Sequence, residues 1–114
     1  MIARTVRTGE LWQVDLGEPV DPEAGLLHPA LVVSAPRFTG PLRLVCPMTT
    51  TRRDYPWRIE VEPTPSNGLA ATSYVQTEHV RAIATARGVR RLGDLDPVLL
   101  LRVKAVLARL LDLP

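Results

Sequence analysis

The sequence predicts a mainly β chain with one C-terminal α-helix, folded as a small open β-barrel. Three observations predict it. Eleven prolines and seven glycines cut the chain into short apolar stretches of strand length. Several of those stretches alternate apolar and polar residues with a period of two. After Asp96 the pattern changes to a run with helical spacing. At 114 residues, 46% of them apolar, the chain has the size of one domain, and residues 1–114 read as one unit.

Each element follows in order. ELWQVDL, Glu10 to Leu16, is a first strand with Trp12, Val14 and Leu16 on its apolar face. Gly17 to Leu27 carries two prolines and two glycines and reads as a long loop, of the kind that is often functional. Pro29 holds His28 extended, and Ala30 to Ser34 form a second, central strand. Leu42 to Met48 give a third strand. Tyr55 to Val61 give a fourth, with Trp57, Ile59 and Val61 inward and Arg58 and Glu60 outward. Ala70 to Ile83 hold one or two more strands, and the basic stretch Ala86 to Leu95 has room for a short one. The helix opens on Asp96 as N-cap with Pro97 in its first position. Leu99, Val103, Val106 and Leu110 then form a stripe flanked by Leu100, Leu107 and Leu111. That arc is wide enough to pack on the sheet, on a second subunit, or on both.

Composition narrows the function. No apolar run approaches the roughly 20 residues of a membrane span. The stretch MIARTVRTGELWQV has no signal-peptide core, so a cytoplasmic protein with no membrane contact is expected. Cys46 is the only cysteine, which excludes an intrachain disulfide and a cysteine metal site within one chain. His28 and His79 lie far apart in sequence, so neither a metal nor another cofactor is expected. The net charge of +2 is too small for a general nucleic-acid coating protein. The basic residues are nonetheless 13 Arg to 1 Lys, and Arg offers the planar fork that suits phosphate.

Five segments in the same order resemble the MazF/PemK (Kid) family of toxins. They are GELWQVDLG (Gly9 to Gly17), PEAG followed by HPALVVS, VCPMTTTRRDYPWRIEV, GLAATSYVQTEHVRAI, and RRLGDLDPVLLLRVKAVLARLLDL. The resemblance spans nearly the whole chain. It implies the SH3-like, CcdB/PemK-like open barrel of a type II toxin–antitoxin endoribonuclease. Such an enzyme cuts single-stranded RNA without a metal. The ribose 2′-hydroxyl attacks the adjacent phosphate and leaves a 2′,3′-cyclic phosphate and a 5′-hydroxyl. The resemblance also implies a homodimer and a MazE-like antitoxin whose acidic C-terminal tail blocks the site. Two alternatives stay open: a CcdB-like protein that binds DNA gyrase and cuts nothing, and a degenerate toxin that only binds an antitoxin.

The chemistry needs a base, an acid and positive charge or hydrogen bonds on the phosphate. Where the family typically has Arg before Pro-Ala-Leu-Val-Val, this chain has His28. Arg holds its proton to high pH, whereas histidine exchanges one near neutrality. Activity through His28 therefore predicts a pH–rate limb near pH 6–7. Thr49 stands at the family's catalytic Thr/Ser position, with Thr50 beside it. Glu23 matches a loop Glu near the family's site. Glu78 matches an implicated acid, one methylene longer, and both are candidate bases. Arg52 and Arg53 are expected to steer and hold RNA, with Arg81 able to restore the missing phosphate fork. His79 replaces the family's Gln and is expected to alter base selectivity. Trp12 and Trp57, which could stack bases, are assigned to the core by their alternation.

Overall fold

The computed structural model describes residues 5–17 and 27–114. Seven strands and one helix follow in order: β1 (Glu10–Asp15), β2 (Leu27–Val32), β3 (Leu42–Thr49), β4 (Arg58–Val61), β5 (Ser73–Gln76), β6 (Arg81–Ala84), β7 (Gly88–Asp94) and α1 (Pro97–Leu110). Single 3-10 turns at Thr77–His79 and Thr85–Arg87 join β5 to β6 and β6 to β7. The strands run in the order β4-β5-β3-β2-β1-β7, with β6 also on β3. The sheet bends into an open barrel.

β3 is the spine of this sheet. One edge pairs with β2, and the other pairs with β6 over Leu42–Val45 and then with β5 at Met48 and Thr49. The stretch from Ala70 to Ile83 thus resolves into two strands with a turn between them. Trp12, Val14, Ala30, Val32, Val45 and Ile83 pack on one face. Leu11, Leu31, Cys46, Met48, Ile59, Val61 and Val75 pack on the other, beneath α1.

The helix begins as expected. The Asp96 side chain accepts from the Val98 N–H at 2.7 Å, and Pro97 takes the first position. Val103 is fully buried, and Leu99, Leu100, Val106 and Leu107 pack against the core. The expected stripe stops there: Leu110 and Leu111 are 45% and 60% exposed, and so are Val98 and Leu101, at 65% and 67%. Fourteen residues are also too few to cross a membrane.

Two expectations are corrected. β2 begins at Leu27 rather than Ala30, so His28 and Pro29 lie inside a strand. The ladder tolerates Pro29 because β3 has stopped pairing with β2 at that height, and a missing N–H on an open edge costs no hydrogen bond. Trp57 is half-buried and outside both cores. A turn in which the Arg58 N–H bonds the Tyr55 carbonyl ends the alternation just before β4. Trp12, by contrast, is buried as expected.

Candidate active site

His28 sits opposite Val14 of β1. The β2–β3 register ends at Ala30 opposite Pro47. Carried two residues further, that register aligns His28 with Thr49 on the same face of the sheet, because side chains alternate strictly along a strand. Both are half-buried. The Thr49 Oγ1 accepts from the Thr51 N–H at 3.1 Å, which leaves the hydroxyl proton free to donate.

The loop after β3 carries the arginines. Arg52 and Arg53 are exposed. Arg52 approaches Asp54 at 3.4 Å, but the two side chains are 73% and 90% exposed, so the pair is weak and easily exchanged for a phosphate. Thr50 points to the other face from Thr49. It lines a cleft of about 180 Å³ with Gln13, Pro29 and Arg90. Arg90, on β7 opposite Gln13, is a cation that the motifs did not single out.

Glu78 is not free. Arg58 donates to its Oε2 from Nε at 2.9 Å and from Nη2 at 2.7 Å. The Arg58 side chain is 9% exposed and that of Glu78 26%. Burial alone would raise the Glu78 pKa, but hydrogen bonds, above all from Arg58, outweigh it and hold the carboxyl below its ordinary value. The sheltered Trp57 indole N–H lies near enough to contribute, although its geometry falls short of a full hydrogen bond. Trp57 stacks on Tyr55 with centroids 5.0 Å apart and planes 13° from parallel. The Arg58 guanidinium lies 5.0 Å from the Tyr55 ring centre. This group braces the base of the arginine-bearing loop.

The remaining candidates divide. His79 is exposed on the turn after β5. Arg81 pairs with Val45, four residues before Thr49 on β3 and so about 13 Å away along the strand. Both flank Thr49 rather than join it. Glu23 lies outside the described residues. Cys46 is fully buried, and burial, with the Glu78 charge behind it, pushes its thiol up to about 12. It is a packing residue, not a nucleophile.

One neighbour of Thr49 escapes any reading of the sequence. Tyr74 of β5 stands directly opposite it, and Glu60 of β4 stands opposite Tyr74. Cross-strand partners hold their Cβ atoms about 4.5–5.5 Å apart. Burial first, then the neighbouring Glu60 carboxylate, raise the Tyr74 pKa, while Arg52 opposes the shift. The alternation of YPWRIEV does mark Glu60 as outward. Nothing in AATSYVQTEHV sets the register that puts Tyr74 against Thr49.

Comparison with known proteins shows the family of the chain. Residues 7–111 match the family model described as PemK-like, MazF-like toxin of type II toxin-antitoxin system. The chain is 34% identical over 116 residues to Endoribonuclease MazF9 of Mycobacterium tuberculosis (strain ATCC 25618 / H37Rv), covering 95% of this chain and 98% of that protein. Among solved structures it resembles an endoribonuclease in complex with its cognate antitoxin from a mycobacterial species, with TM-score 0.78 and 26% identity over 96% of this chain and 98% of that one. It also resembles MazF from Deinococcus radiodurans, with TM-score 0.79 and 25% identity over 96% and 99% of the two chains. With a match over nearly its full length and the same open barrel, the chain belongs to the PemK-like, MazF-like toxins of type II toxin–antitoxin systems.

Proposed function

We propose that this chain is a metal-independent endoribonuclease that cuts single-stranded RNA at selected sequences. What supports the proposal is the β2–β3 register, which ends at Ala30 opposite Pro47 and, carried two residues further, brings His28 into line with Thr49 at the head of the arginine loop. Thr49 donates a hydrogen bond to the scissile phosphate. His28, as imidazolium, protonates the leaving 5′-oxygen. Arg52 and Arg53 hold the flanking phosphates, and Thr50 and Arg90 line a second contact on the other side of the sheet. Arg81 and His79 sit far enough from Thr49 to meet a neighbouring nucleotide. Glu78 serves through Arg58 as a positioning residue. The partners are a second copy of the chain and an antitoxin with an acidic tail. The exposed leucines of α1 offer the apolar surface a subunit contact needs, and the arginine surplus suits the tail.

The test is incubation of the purified protein with mixed-sequence RNA in EDTA, followed by mapping of fragment ends. Discrete cuts ending in cyclic phosphate are expected. His28→Ala and Thr49→Ala should each remove most of the cutting, and His28→Ala should erase a limb of the pH–rate profile. Intact RNA at high enzyme, with no growth arrest on expression, sinks the proposal and leaves the gyrase-binding alternative standing.

A further inference from the structure

The ribonuclease reading leaves one role open, and this inference rests on that reading: the attacking 2′-hydroxyl needs a group to take its proton. Among the described residues, the carboxylate expected for that task, Glu78, is committed to Arg58. A different carboxylate is already in line. Across β3, β5 and β4 one row of paired residues runs Thr49, Tyr74, Glu60 on one face, and the β2–β3 register, carried two residues past its last pair, brings His28 into line with it. His28 and Tyr74 therefore stand on opposite sides of Thr49. The reaction wants its acid and its base in that arrangement, since the leaving and attacking oxygens sit on opposite sides of the phosphorus.

We propose that Tyr74 and Glu60 together activate the 2′-hydroxyl, with the Tyr74 oxygen accepting from the substrate and its own O–H donating to Glu60. The charged groups around the phenol are Glu60 and Glu62 on β4 and Arg52 on the loop after β3. A phenol is protonated at neutral pH in any case, and burial together with the two carboxylates favours that form further. It is then a relay hydroxyl rather than a free phenolate.

The step balances. The 2′-O–H bond breaks and its proton passes to the Tyr74 oxygen as the Tyr74 proton passes to Glu60. The 2′-oxygen forms its bond to phosphorus while the bond from phosphorus to the 5′-oxygen breaks. That leaving oxygen takes a proton from His28. Glu60 ends as a carboxylic acid and His28 as neutral imidazole, and exchange with water restores both.

The discriminating probe is an oligoribonucleotide spanning a mapped cut, made with either oxygen or sulfur at the bridging 5′ position. A thiolate leaves without protonation, so sulfur rescues the loss of an acid but not the loss of a base. Tyr74→Phe and Glu60→Gln should each lower kcat on the oxygen substrate by about a hundredfold, and the double variant should be no worse than either alone. The sulfur substrate should restore His28→Ala and leave Tyr74→Phe slow. Far-ultraviolet circular dichroism and thermal midpoints should match wild type, since Glu60→Gln is isosteric and Tyr74→Phe removes only a hydroxyl. Cutting by Tyr74→Phe within threefold of wild type overturns the proposal, as does its rescue by sulfur. In either case the wild-type activity, and with it the ribonuclease reading, would stand. A wild-type chain that cuts neither substrate removes that reading and this inference with it.

Discussion

The Arg58–Glu78 pair gives the sharpest test of what is structure and what is chemistry. Glu78→Ala would strand a guanidinium whose side chain is only 9% exposed. Removing one partner of a fully buried pair costs about 3–5 kcal/mol, while exposed pairs are worth about 0–1 kcal/mol. Glu78 keeps 26% of its side-chain exposure, and water reaches the vacated space. The discount puts Glu78→Ala at about 2 kcal/mol, and Glu78→Gln, which keeps an acceptor, at about 1 kcal/mol. For a domain of this size, 1 kcal/mol moves the midpoint by about 4 °C, so the Ala variant should melt about 8 °C lower. Urea and thermal unfolding at one fixed protein concentration would measure this, because association makes Tm depend on concentration. The sign of the pH effect follows from the lowered pKa. The stabilisation is present above the ordinary glutamate pKa and fades as pH falls below about 4, so wild type and Glu78→Gln should converge in acid. RNA cutting measured well below both midpoints should fall less than tenfold in Glu78→Gln. A hundredfold loss of kcat with an unchanged Tm would refute this reasoning and return Glu78 to the chemistry.

Three further outcomes are expected. Cys46, with its thiol pushed up to about 12, should react with iodoacetamide at pH 8 about a thousandfold more slowly in the native protein than in urea. Asp96→Ala should cost about 1 kcal/mol in urea unfolding by removing the α1 cap, and Asp96→Asn should recover most of it. Gly68 has a φ of +68°, and a Cβ there would collide with the Leu92 carbonyl. Gly68→Ala should therefore cost about 2–3 kcal/mol, read as a midpoint shift of about 10 °C.

The elements that alternate cleanly or cap strongly were legible in the sequence. Asp96-Pro97 marks the helix start to the residue, and the parity of ELWQVDL puts Trp12 in the core. What sequence could not carry was register. His28 reads as a loop exit because Pro29 follows it, yet β2 begins earlier; only the retreat of β3 from that edge makes a proline tolerable inside the strand. Trp57 reads as core from parity, but a local turn ends the strand one residue short. Glu78 reads as a base from its place in a motif, while its ion pair reaches back 20 residues to Arg58. Tyr74 lies within GLAATSYVQTEHVRAI, but nothing in that segment singles it out, and the role proposed for it comes from the strand it faces. Single-residue chemistry was visible along the chain, and pairings between distant strands were not.

The two-sided pairing of β3 bears on how such proteins diverge. Thr49 is the last residue of a strand held on both edges, and His28 lies on the strand beside it. The arginines begin immediately afterwards, in a loop outside the sheet ladder. Substitutions between residues 52 and 56 can therefore change the surface this loop offers, which the proposed function gives to RNA, without touching the Thr51 N–H that holds the Thr49 hydroxyl. On the proposed function, a lineage can acquire a new target sequence in that loop while the residues proposed to cut stay in register.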